Sequence, residues 1–170
     1  MHELPGQMWD AFVRQQPQAN IFHTPEMFEV FARARGYQPQ LWAAATDQEV
    51  LALLLPVHIS LTNGVLRPLT SRAVCFGGLL CPLFPERDEV LRELLGAYSQ
   101  SIHGSPLYTE LRNLSDTTSM APVLQANGFA FEDHLNYLID LESPAGDIWR
   151  RLSHTVQKHI RTAQRKRLEV

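Results

Sequence analysis

The spacing of apolar residues predicts several helices along the chain. Apolar side chains recur every three or four positions over Met8–Gln15 and over Glu86–His103, as they do on the buried face of an amphipathic helix. Another helix follows Thr24-Pro25-Glu26, which supplies an N-cap residue, a proline suited to the first turn and an acid at the positive end of the helix dipole. We expect that helix to run to about Arg35 and to stop at Gly36, a favourable residue just beyond a helix end.

Shorter apolar runs bounded by turn residues predict strands. Gln38–Ala45 and Val50–Ile59 are joined by four polar residues and predict an antiparallel hairpin. Further strands are predicted at Leu66–Leu69, Ala73–Leu80 and Pro106–Asn113 and within Phe129–Leu141, with turns at Thr62-Asn63-Gly64 and Gly128. Hairpins combined with helices and a late strand–helix–strand unit predict an α/β (α+β) domain, a mixed sheet with helices on both faces.

The last predicted helix opens at Ser143-Pro144 and has two chemically different faces. Its apolar stripe consists of Trp149, Leu152, Val156, Ile160 and Ala163. Its basic stripe consists of Arg150, His154, Lys158, Arg161 and Arg165. Three interpretations of the basic stripe remain open: a solvated face, a cationic groove wall for a phosphate-bearing substrate, or a nucleic-acid surface. No aromatic residues interleave with the cations, so a platform for stacking single-stranded bases is not supported.

Charge and composition limit the classes of partner and compartment. Residues 150–170 carry a balance of +6, whereas residues 1–149 carry −9, so the basic end is expected to meet something anionic. The 170 residues are 45% hydrophobic yet contain no apolar run of the ~18 residues that a membrane span needs. The N-terminus lacks a signal-peptide pattern, and Cys75 and Cys81 are expected to be buried free thiols. These features favour a cytoplasmic protein without a bound metal.

Two glycine-containing segments are candidate ligand loops. Gln125, Gly128 and Ala130 form the pattern Q-x-x-G-x-A of acetyl-CoA pyrophosphate loops. Such loops follow a strand and open a helix, whereas here a helix closes at Gly128, so we interpret this glycine as a helix C-cap. Gly77-Gly78 indicates either close backbone approach by a ligand or a bulge within a strand. Arg72, just before that pair, is either a ligand-facing cation or a surface residue.

The order of landmarks along nearly the whole chain resembles that of FemAB-like proteins. The closing passage carries the strongest likeness, to the family's pattern of I-D-L, then W, then K/R-x-x-I-R-x-A, although Lys158 lies two positions and not three before Ile160 here. The matching residues are Asn20–Pro25 with its helix, Leu53–Val57, Phe76–Leu79, Tyr108–Asn113, Gly128–Leu141, Ile139–Leu141, Trp149, Lys158–Ala163 and Leu168–Val170. Arg167 stands where the family usually has glycine before its final strand.

The resemblance implies a GNAT-like, mostly antiparallel lobe over residues 1–142 and a basic connector helix over 143–170 that leads to a second lobe absent from this sequence. The implied activity is transfer of an acetyl or aminoacyl group to the amine of a cell-wall or exopolysaccharide precursor. The acyl donor would be acyl-CoA or aminoacyl-tRNA, a co-substrate and not a tightly bound cofactor.

We expect this half to bind the acceptor, a nucleotide- or lipid-diphosphate, through Lys158, Arg161 and Arg165, with Arg72, Gly77 and Gly78 as weaker candidates. The sequence identifies no general base. The alternative is a non-catalytic lobe that docks on a partner, a second lobe or a second copy through its last helix. Binding of tRNA is a third expectation.

Overall fold

The computed structural model describes residues 4–60, 70–102, 106–133, 140 and 142–166. The chain divides into two compact units, Met1–Glu132 (unit 1) and Asp133–Val170 (unit 2). Unit 1 contains four described α-helices and seven described strands, and unit 2 contains two described helices. The mixed α/β architecture confirms the predicted fold class. The predicted turn at 62–64, the strand at 66–69 and most of the segment 129–141 lie outside the described residues.

The helices of unit 1 are α1 (Gly6–Gln15), α2 (Pro25–Arg33), α3 (Arg87–Ser101) and α4 (Ala121–Ala126). The hydroxyl of Thr24 accepts a hydrogen bond from the Met27 N–H, which confirms the predicted N-cap of α2. This helix ends two residues earlier than predicted, because Ala34 is already extended. Gly36, with φ of 85°, therefore serves the turn into the next strand.

The strands of unit 1 form two sheets. The first has the order β1 (Tyr37–Pro39), β4 (Val57–Ser60), β5 (Ser71–Cys75) and β7 (Thr109–Leu111). The second has the order β2 (Trp42–Ala45), β3 (Val50–Leu54) and β6 (Leu79–Leu80). All pairs are antiparallel except β5 with β7, which is parallel.

The predicted hairpin exists, but each of its two long strands is split between the sheets. β2 pairs with β3 in one sheet, and β1 pairs with β4 in the other. The split falls at Pro56, which has no N–H to donate to a ladder, while its carbonyl oxygen accepts a 2.9 Å hydrogen bond from the Gln40 N–H. The predicted strand Ala73–Leu80 is divided in the same way, into β5 and β6.

Two apolar clusters hold unit 1 together, and β3 contributes to both. Ala52 and Leu54 pack with α3, α4 and both cysteines, whereas Val50 and Leu53 pack with α1. Cys75 and Cys81 are buried free thiols, as predicted. Because β3 is buried on both faces, it anchors α1 and α3 from opposite sides.

Gly128 closes α4 as a C-cap, which confirms its interpretation from the sequence. Its φ is 85°, its N–H donates to the Gln125 carbonyl, and the Phe129 N–H donates to the Leu124 carbonyl. This pair of bonds is the Schellman arrangement, which satisfies the last carbonyls of a helix. The Q-x-x-G-x-A segment therefore ends a helix and presents no helix N-terminus to an anion.

The predicted last helix is two helices, α5 (Ala145–Arg151) and α6 (His154–Arg165). Leu152 is extended, and the Ser153 hydroxyl accepts a hydrogen bond from the Val156 N–H as the N-cap of α6. The Gln157 amide donates to the carbonyl oxygens of Trp149 and Leu152, near the end of α5. The prediction of one continuous helix was wrong because these two polar side chains satisfy the backbone groups that a break exposes.

Candidate functional site

Arg72 lies on β5 with its side chain exposed to solvent. In the register of the sheet it stands beside Ile59, which pairs with Tyr37, so these side chains share one face. A hydrogen bond with the Tyr108 side chain raises the pKa of the Arg72 guanidinium. Arg72 is thus a surface cation held by a neighbouring tyrosine. Its predicted contact with a ligand stays a prediction.

Gly77 and Gly78 form a turn between the two sheets of unit 1, not a bulge within a strand. Gly78 has φ of 78°, and its N–H donates to the Cys75 carbonyl oxygen at 3.0 Å. A Cβ at Gly77 would lie 2.8 Å from the His23 ring, and a Cβ at Gly78 would overlap Asn113. His23 and Asn113 of the same chain therefore occupy the space that side chains at Gly77 and Gly78 would fill.

His23 is a fully buried residue of the turn Ile21–His23, and the sequence reasoning did not select it. Its Nδ1 accepts a 3.2 Å hydrogen bond from the Asn20 N–H, while the Asn20 side chain accepts from the Phe22 N–H. Among the described residues, Nε2 has no partner in hydrogen-bonding geometry. Burial lowers the pKa of His23 to about 4, partly opposed by the backbone of Gly78, Asn20 and Gly77.

Four aromatic rings stack beside the glycine turn in unit 1. Phe31 lies 5.2 Å from Phe76, 6.5 Å from Phe22 and 5.9 Å from Tyr37, measured between ring centroids. The Arg112 guanidinium lies 5.4 Å from the centroid of Phe76 and is paired with Glu110. All four rings are only partly buried. The sequence did not predict this aromatic stack, because its members are scattered over 55 positions and share no periodicity.

Lys158, Arg161 and Arg165 lie on α6 in unit 2, all exposed. Positions 154, 158, 161 and 165 share one face of this helix, which confirms that part of the basic stripe. Arg150 belongs to α5, where it pairs with Asp147, so it lies outside the stripe. The Arg161 guanidinium lies 5.4 Å from the centroid of the Trp149 ring, a cation–π contact. Arg72, Gly77 and Gly78 belong to unit 1, whereas Lys158, Arg161 and Arg165 belong to unit 2.

Within the part of the chain that the structure describes, no group of three or more His, Cys, Asp or Glu side chains could hold a metal ion. None of the described helices combines the length and apolarity needed to cross a bilayer. Burial raises the pKa of both thiols, that of Cys81 to about 12, so neither is a ready nucleophile.

Comparison with known proteins shows the fold. The crystal structure of FemX matches 96% of this chain with a TM-score of 0.58 and 16% sequence identity. The chain spans 43% of the length of FemX. No model of a protein family and no curated protein sequence matches the chain. The likeness to FemAB-like proteins seen in the sequence is thus supported at the level of the fold, and the finer assignment to a GNAT-like lobe stays a prediction.

Proposed function

We propose that this chain is the acceptor-binding lobe of a FemAB-like N-acyltransferase. The observation that carries the proposal is the fold shared with FemX over nearly the whole chain, reached independently of the landmark order in the sequence. The basic face of α6 supplies the complementary chemistry for an anionic acceptor. The acceptor class is an amine carried on a nucleotide- or lipid-diphosphate, as in cell-wall precursors.

The reaction that we propose needs positioning more than covalent catalysis. The acceptor amine attacks the carbonyl carbon of an ester or thioester, a C–N bond forms, and the C–O or C–S bond to tRNA or CoA breaks. The amine loses a proton, and the leaving oxygen or sulfur gains one. Holding the acceptor by its diphosphate would fix the amine relative to the acyl carbonyl, which is the main contribution available to a lobe of this kind.

Lys158, Arg161 and Arg165 are the residues that we assign to the diphosphate. They recur at helical spacing on one face of α6, over about 10 Å of helix axis. Lys158 and Arg165 take part in none of the ion pairs found among the described residues. Arg161 is held over Trp149, which leaves the edge of its guanidinium able to donate to phosphate oxygens.

Calorimetric titration with UDP-N-acetylglucosamine tests this assignment. We expect Lys158→Ala/Arg161→Ala to weaken binding at least ~10-fold, since each charge-assisted contact is worth about 1.5–3 kcal/mol. The matched control is Arg35→Ala/Arg92→Ala, which removes the same charge from exposed positions of unit 1. Equal affinity in wild type and both variants, or absence of binding to all three, contradicts the proposal.

A second candidate function is docking of α6 on a partner without catalysis. No residue of α5 or α6 is fully buried, and Val156 on the apolar stripe is 41% exposed. Size-exclusion chromatography with light scattering measures the molar mass in solution and so tests whether the partner of α6 is a second copy of the chain. A monomer at all concentrations whose α6 amides are strongly protected from exchange would count against docking. Retention on heparin that falls steeply with salt would instead favour tRNA.

A further inference from the structure

The break between α5 and α6 brings together two side chains that one straight helix would hold apart. Trp149 lies in the last turn of α5, and Arg161 lies in the second half of α6, twelve positions further along the chain. In a continuous α-helix the two residues would be separated by about 18 Å along the axis. In the structure the guanidinium carbon of Arg161 lies over the Trp149 ring, 5.4 Å from its centroid. The contact therefore exists only because the chain turns at Leu152 and Ser153.

Hydrogen bonds within unit 2 fix this turn. The side-chain amide of Gln157 donates to the carbonyl oxygens of Trp149 and Leu152, at 2.9 and 3.1 Å, so α6 is tied to the end of α5. Gln157 precedes Arg161 by four positions, so the two side chains project from the same side of α6, one turn apart. The bonds of Gln157 thus hold the end of α5 on the side of α6 from which Arg161 projects.

Arg161 is the cation on the basic face of α6 that a ring contact restrains. It takes part in no ion pair and donates no hydrogen bond within the described part of the chain. No cation–π contact is found there for Lys158 or Arg165. A free arginine side chain loses rotamer freedom when it binds an anion, whereas contact with a ring restricts that freedom beforehand. A guanidinium over a ring face keeps N–H groups at its edge, which suit the paired oxygens of a phosphate.

We propose that Trp149 is a positioning residue of the acceptor site, which holds the Arg161 guanidinium ready for the acceptor diphosphate. The inference rests on the proposed function, because it assigns Trp149 a task in binding that acceptor. Trp149 acts through Arg161 and does not itself contact the ligand. The turn between α5 and α6 thereby gains a role, since a single straight helix would carry the same cations with Arg161 unrestrained.

A double-mutant cycle on the full chain tests this role, with calorimetric titration of UDP-N-acetylglucosamine as the measurement. We expect Trp149→Leu to weaken binding about 5-fold, because Arg161 must then be ordered by the ligand itself. In a chain that already carries Arg161→Ala, the same change should alter the affinity less than about 2-fold. A tryptophan that only supported the packing of α5 and α6 would weaken binding equally in both backgrounds, and that result overturns the proposal.

Trp149→Phe is the conservative variant. It keeps an aromatic face for the guanidinium and should restore most of the affinity that Trp149→Leu loses. A phenylalanine variant as weak as the leucine variant would also contradict the positioning role.

Gln157→Ala replaces Trp149→Leu in the cycle if the leucine variant does not fold. It removes the two hydrogen bonds that hold the turn, and should weaken binding about 3-fold with Arg161 present and not at all in Arg161→Ala. A wild-type chain that does not bind UDP-N-acetylglucosamine overturns the acceptor proposal and this inference together. Wild-type binding with no loss in Trp149→Leu, or in Gln157→Ala where that variant takes its place, overturns this inference alone.

Discussion

The indole N–H of Trp9 donates a 2.7 Å hydrogen bond to the carbonyl oxygen of His23, and both residues are buried. The bond ties α1 to the turn that precedes α2. Trp9→Phe would keep an aromatic ring near Phe28, whose centroid lies 5.6 Å from that of Trp9, but would leave the buried carbonyl unsatisfied. We expect a loss of about 2 kcal/mol in the free energy of unfolding, measured by chemical denaturation.

The control for this prediction is Trp42→Phe. The Trp42 indole donates to the Gln40 side chain at 3.2 Å in an exposed position, where water can replace the indole. The same chemical change should therefore cost roughly half as much or less there. Equal losses in the two variants would show that the bond to His23 contributes nothing beyond ring size.

His23 makes the stability of the chain depend on pH. Its pKa is about 4 in the folded chain against 6.5 for a free histidine, so the unfolded state binds the proton more readily. The stability that depends on a neutral His23 is therefore fully present above pH 6.5. It is lost progressively as the pH falls from 6.5 to 4. Between pH 7 and pH 5 we expect the free energy of unfolding to fall by about 2 kcal/mol on account of this group.

The variant His23→Asn isolates this effect. Asparagine places an Oδ1 acceptor where Nδ1 of His23 receives the Asn20 N–H, but it does not titrate. The variant should be less stable at pH 7, since a buried ring is lost, yet its stability should change little between pH 7 and pH 5. A variant that retains the wild-type slope would assign the pH dependence to other groups.

A comparison of alanine variants at Gly78 and Gly36 separates the cost of backbone strain from the cost of steric overlap. Both have positive φ, 78° and 85°, so alanine is strained at either position by about 1–2 kcal/mol. A Cβ at Gly36 would meet only the Ser60 carbonyl oxygen at 3.8 Å, whereas a Cβ at Gly78 would overlap Asn113. Gly78→Ala should therefore destabilise the chain by clearly more than Gly36→Ala in denaturant titrations. Losses that match within 0.5 kcal/mol would mean that Asn113 moves aside at little cost.

Local signals in the sequence predicted those elements that are set by local chemistry. The N-cap at Thr24, the C-cap at Gly128 and the apolar face of α3 each depend on residues within one or two helical turns. The splitting of the hairpin at Pro56 and of the strand at Gly77-Gly78 depends on which sheet each half joins, a long-range choice that periodicity does not contain.

The residues of the candidate site also divide into those predicted by local spacing in the sequence and those brought together only by the fold. The basic face of α6 was predictable because its cations recur at helical spacing along 12 residues. The contact of His23 with Gly77 and the stacking of Phe76 on Phe22 and Phe31 join segments more than 40 positions apart in the sequence. No spacing rule applies to such segments, and only the fold brings them together.

Ser153→Ala tests the break between α5 and α6 by the sign of its effect. If Ser153 caps α6, as its hydrogen bond from Val156 indicates, alanine should weaken the start of that helix by about 1 kcal/mol. If the two helices were one, the same change would stabilise it, since alanine is the better interior residue. Amide hydrogen exchange at Val156 and Gln157 should accelerate about 5-fold in the first case.

Thr162→Ala is the control inside α6: its hydroxyl bonds only the Lys158 carbonyl oxygen, so its loss should leave exchange at these two amides unchanged or slower. Slower exchange at Val156 in Ser153→Ala would contradict the break.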